Sequence, residues 1–137
     1  MNIKEVLEFL FQRADAMQTF WNLYIGSVTT TLGLLTAAKV EWLKREVCIA
    51  LTFVFAVFAL SNLSSLDAVR GQRDELVKLA VSVPEFHEEL YRPILDSVSP
   101  PDKIALIVFH SIFDLFVIAA IWLVPLFRRR RRQPIHS

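Results

Sequence analysis

Asp114 and His110 are the residues best placed to do chemistry. Asp114 is the one charge in an apolar run from Ile104 to Phe127, and His110 precedes it by four residues. Four residues make about one helical turn, so a helix brings imidazole and carboxylate onto one face. Such a pair can share a proton, hold a cation or hydrogen-bond to neighbouring helices. If the run crosses a bilayer, Asp114 lies within about 3 Å of its middle. An Asp there opposes insertion by about 2.5–3.5 kcal/mol. The surrounding Ile, Leu, Val and Phe residues outweigh that, so the helix still inserts, but the carboxyl group needs polar company.

The elements that could supply it are read from hydropathy. Phe20 to Ala38 and Val47 to Leu66 are also apolar and carry no charge. A bilayer-crossing helix needs about 20 such residues. With three spans, and about 1.5 Å of depth per residue, Asp114 lies about 15 Å from the outer edge and His110 about 9 Å. Thr29, Thr30 and Thr31 fall at about 14–17 Å, level with Asp114. Ser61 and Asn62 fall at about 6–8 Å, near His110. These residues form an expected intramembrane polar layer. The plainer role is interhelical glue, each bond worth about 1 kcal/mol or less. The sharper role is a proton or cation relay or a ligand contact. Leu115 to Phe127 continues no polar path, so a crossing relay would need several copies assembled around water.

Composition agrees with a membrane chain. Hydrophobic residues make up 54% and charged residues 21% of 137, and mean hydropathy is +0.44. That excludes a disordered chain and argues against an ordinary soluble domain. A single cysteine, Cys48, excludes an intrachain disulfide and a cysteine-based zinc cluster. The expected fold is all-α: a three-span transmembrane bundle with a small extracytoplasmic layer of amphipathic helices. Its parts are an outer amphipathic helix over 1–17, two spans joined by a short basic loop over 18–66, an outer helical segment over 67–103, a third span over 104–127 and a basic inner tail over 128–137.

Basic residues set the orientation. Lys39, Lys44 and Arg45 crowd the short loop, and Arg128, Arg129, Arg130, Arg131 and Arg132 follow the third span. The positive-inside rule then puts both chain segments on the cytosolic side of a plasma or bacterial inner membrane, with the amino terminus outside. A cleaved leader is disfavoured, because Glu5, Glu8 and Asp15 outnumber Lys4 and Arg13. The arginine run reads as a membrane anchor, and more sharply as a site for anionic lipid. Nucleic-acid binding is not expected from so short a tail.

Ile3, Leu7, Leu10, Ala14 and Met17 recur at helical spacing and the seam runs on into Trp21 and Tyr24, so the spacing predicts one helix from about Ile3 to Ala38. Leu66, Val69, Leu76, Val77, Ala80 and Val83 form a second seam, interrupted by Arg73. Ser82 and Glu85 read as a capping box for a further helix, and Ser99-Pro100-Pro101-Asp102 as a capping signal before the third span. Gly26, Thr30, Gly33 and Ala37 form a small-residue stripe suited to close helix packing, within the bundle or between copies. His87-Glu88-Glu89-Leu90-Tyr91 half matches a zinc-protease helix but lacks the second histidine, so no metal, cofactor or catalytic residue is expected. The resulting functional expectation is a non-enzymatic interaction or accessory subunit of a membrane assembly, in contact with the bilayer and with another membrane protein or itself. The alternative is a homo-oligomeric channel or pore using the Asp114–His110 layer.

Overall fold

The computed structural model describes residues 2–39, 41–84 and 86–132. Among these the chain is all-helical: α1 (Ile3–Ala37), α2 (Arg45–Ser82), α3 (Glu88–Val98) and α4 (Lys103–Arg132). Asn2 starts α1 with a capping box. Its side chain accepts from the Glu5 N–H, and its own N–H donates to the Glu5 carboxylate, both at 2.9 Å. Nothing interrupts the helix before Ala38, where the backbone turns extended. Asp102 caps α4 by accepting from the N–H groups of Ile104 and Ala105. Ser82 does not cap α3. It ends α2, with its hydroxyl donating back to the Leu79 carbonyl, and α3 begins only at Glu88; Glu85 lies outside the described residues.

At about 1.5 Å per residue, α1 is roughly 52 Å long and α2 roughly 57 Å. Both are longer than the ~30 Å hydrocarbon thickness. Three buried clusters follow the long axis. Tyr24, Leu35, Leu43, Cys48, Phe55, Ala59, Val117 and Ile121 form the first. Met17, Leu66, Val69 and Leu106 form the second. Ile3, Val6 and Leu10 meet Ala80, Val83, Leu95 and Val98 in the third. The start of α1 thus packs on the end of α2, and α4 runs alongside α1 in the same direction. Arg73, which interrupts the α2 seam in sequence, is buried. Its guanidinium donates to the Met17 sulfur and to the Val98 and Ser99 carbonyls, tying down the end of α3. Burial pushes its pKa below the usual guanidinium value.

Two helical stretches, α2 and the one that includes α4, are long and apolar enough to cross a membrane. Their outward sides are strongly apolar: Phe53 is 69% exposed, Leu60 68% and Leu115 67%. The stretch 20–38 of α1 is charge-free but diluted by Asn22, Ser27 and four threonines.

Candidate functional site

The polar centre of the bundle is built by three helices. Tyr24 on α1 donates from its hydroxyl to Asp114 Oδ1 on α4 at 2.8 Å. The second oxygen, Oδ2, lies 2.9 Å from His110 Nδ1, one turn earlier on the same helix. His110 Nε2 lies 3.3 Å from Asn62 Oδ1 on α2. The Asn62 amide in turn donates to the Phe20 carbonyl of α1 at 3.0 Å. The circuit starts and ends on α1 and fixes all three helices in register. His110 is fully buried and Asn62 5% exposed. The Tyr24 ring packs tilted against the imidazole with centroids 4.1 Å apart, and Trp21 lies beside both rings, 6.1 Å from the imidazole and 6.0 Å from Tyr24.

Sequence placement explains the geometry. His110 and Asp114 share a face because they are four apart on α4. Phe20 and Tyr24 are also four apart, which lets one helix turn supply both the carbonyl and the phenol. Of the residues expected in the polar layer, His110, Asp114 and Asn62 come together. Thr31 does not join them; its hydroxyl donates to the Ser27 carbonyl of its own helix. Thr29, Thr30 and Ser61 are exposed on the outer sides of α1 and α2. Equal depth does not specify equal azimuth, and these three point away from the bundle axis.

Tyr24 is legible in the sequence as part of the α1 apolar seam, but not as a member of the polar layer. Its helical phase, shared with Met17 and Leu35, turns its phenol toward the core at the level of His110. The end of the bundle where α1 and α4 both finish holds a second polar contact set. Arg128 donates to the Leu35 and Ala38 carbonyls, both at 2.9 Å, and Arg129 to the Leu43 carbonyl at 2.7 Å. A cation there satisfies the open carbonyls at the end of α1. Arg130 is exposed; the side chains of Arg131 and Arg132 lie outside the described residues. Trp122 donates from its indole N–H to the Thr52 hydroxyl, a further link between α4 and α2.

The small-residue stripe faces outward. A Cβ built on Gly26 or Gly33 meets nothing within 4 Å, and Thr30 and Ala37 are exposed. At about 100° per residue, every residue between Gln18 and Ala37 in the sector opposite Tyr24 and Leu35 is small or polar. Asn22, Thr29 and Thr36 recur at intervals of seven, and so do Thr19, Gly26 and Gly33. All six are exposed. The Asn22 amide oxygen accepts from Gln18, whereas the Thr29 and Thr30 hydroxyls have no hydrogen-bond partner among the described residues. Nor do three or more His, Cys, Asp or Glu side chains gather there to hold a metal. No protein-family model, no curated protein and no solved structure matches this chain.

Proposed function

We propose that this chain is a three-span integral membrane protein that works as a non-enzymatic interaction subunit of a membrane assembly, joining it through the outward face of α1. The observation that carries the reading is the strip of small and polar residues on the outward side of α1. The large exposed residues in the apolar stretches of α2 and α4, such as Phe53, Leu60 and Leu115, suit lipid contact. On α1 the exposed Leu23, Ile25 and Leu34 flank a central strip of glycines, threonines and Asn22. Lipid tails offer such groups neither packing nor hydrogen bonds, whereas a second helix offers both. The seven-residue recurrence fits a partner helix crossing at a shallow angle.

In this reading α1 crosses the bilayer with α2 and α4, the amino terminus and residues 67–103 lie outside, and the arginine-rich end lies at the cytosolic surface. Arg130 is then free to meet anionic lipid headgroups. The pore reading survives in altered form. A ring of copies would line its path with Asn22, Thr29 and Thr30 rather than with Asp114, whose carboxylate oxygens are engaged within the chain.

Purification in mild detergent tests the proposal. The chain is expected to run as a complex, with itself or with a co-purifying membrane protein. Gly26→Leu combined with Gly33→Leu should release a single folded chain. A wild-type chain that runs alone contradicts the interaction reading. A homo-oligomer that carries ion flux in liposomes favours the pore.

A further inference from the structure

We propose that Asn62 fixes the proton of His110 on Nε2, so that His110 and Asp114 hold one proton between them and form a neutral, single-proton binding site at the centre of the bundle. The inference starts at the Phe20 carbonyl. A carbonyl oxygen only accepts, so the atom of Asn62 that lies 3.0 Å from it is the amide nitrogen. The other end of the same amide, Oδ1, then faces His110 and can only accept as well. Nε2 therefore carries a hydrogen.

That assignment constrains the opposite side of the ring. A neutral imidazole with its hydrogen on Nε2 presents a lone pair at Nδ1. At 2.9 Å this lone pair faces Asp114 Oδ2. A carboxylate there would set two acceptors against each other. A hydrogen must lie between them, either on the carboxyl oxygen or on Nδ1. The first arrangement is a carboxylic acid beside a neutral imidazole; the second is a carboxylate beside an imidazolium. Both contain one proton in that bond and both have zero net charge. Asp114 Oδ1 accepts from Tyr24 in either case.

Neutrality is what a buried site requires, because an unpaired charge in low dielectric is strongly disfavoured. The surroundings contain nothing to upset it. α1 presents the Tyr24 phenol to the pair, α2 presents the neutral Asn62, and α4 supplies the pair itself. Farther along α2 and at the start of α4, Asp67 accepts from both Arg70 and Lys103.

Nitrogen NMR on the full chain in lipid, with labelled histidine and with His87→Gln and His136→Gln leaving only His110, reads the site directly. Nε2 is expected to be protonated at neutral pH. At neutral pH there should be either an infrared carboxylic-acid band that Asp114→Asn removes, or a doubly protonated imidazole. Asn62→Leu should weaken the Nε2–H signal, since nothing then holds that hydrogen in place: Nδ1 can donate to Asp114 Oδ2 while the acid hydrogen turns to Oδ1 and donates to the Tyr24 oxygen, both hydrogens being kept. Asn62→Asp, which keeps an acceptor at that position, should retain it. A bare Nε2 in the wild-type chain overturns the proposal, and this result needs no variant to fold. So does a carboxylate beside a neutral ring, or an Asn62→Leu spectrum identical to wild type.

Discussion

Helix α1 carries polar groups on two opposite sides, and the two sides differ in what completes them. On the inner side the Phe20 carbonyl and the Tyr24 phenol close a circuit through Asn62, His110 and Asp114. On the outer side Asn22, Thr29 and Thr30 face away from every other helix, and the glycines beside them leave open space. The contrast separates two uses of polarity in an apolar setting. A satisfied polar group locks a fold, and an unsatisfied one invites a partner. The two sides can therefore be broken independently.

The largest effect is expected on the inner side. Asp114→Leu removes the acceptor of Tyr24 and the partner of His110 while leaving both buried, a change of about 3 kcal/mol in bundle stability. Unfolding in detergent, followed by circular dichroism, measures it. Asp114→Asn sharpens the point. Its amide can accept from Tyr24 and donate to His110, as a protonated carboxyl would, so the loss should stay within about 1 kcal/mol. A severe loss in the Asn variant would mean that the carboxylate form is indispensable.

On the outer side, Gly26→Leu with Gly33→Leu should weaken association at least tenfold, equal to about 1.4 kcal/mol, with no change in bundle stability. Analytical ultracentrifugation in detergent would show the first, and unchanged thermal unfolding the second. Loss of the fold itself would mean that the two faces of α1 are not separable.

Much of this arrangement is legible in the sequence, and the reasons for the remainder are physical. The i, i+4 spacing of His110 and Asp114 and the unbroken pattern from Ile3 onward follow from helix geometry alone. The azimuth of Thr29, Thr30 and Ser61 does not, because depth along a helix says nothing about which neighbour lies on which side. Nor does the role of Arg73. A charge inside an apolar seam reads as an interruption until α3 is seen to place the Val98 and Ser99 carbonyls beside it. Arg128 is similar: its position after the span suggests an anchor, but its bonds to Leu35 and Ala38 depend on where α1 ends.

Two smaller effects refine the comparison by testing the joints at either end. Arg128→Ala should uncap the end of α1 and lower stability by about 1 kcal/mol. Amide hydrogen exchange should then quicken in the last turn of α1 and not at Tyr24. At the opposite joint, Lys103 and then Arg70 hold the Asp67 carboxyl below the usual carboxylate range. A depressed folded pKa means the contribution is fully present above the unfolded value of about 3.9 and is lost as pH falls through the folded value. The pair is partly exposed, so the effect should be small and weakened by salt. Acid unfolding of Asp67→Asn alongside the wild-type chain should show a reduced slope below about pH 4.

A photo-crosslinking scan in native membranes addresses the outward face of α1 most directly. A photoreactive residue at position 29, and another at position 33, should each give a discrete protein–protein adduct whose mass reports the partner, twice the chain mass signifying a second copy. The same residue at Phe53 on α2 or Leu115 on α4, both strongly exposed and apolar, should give lipid adducts and no discrete protein band. Equal protein adducts at all four positions, or none at 29 and 33, would contradict the assignment of α1 as the face that meets a partner.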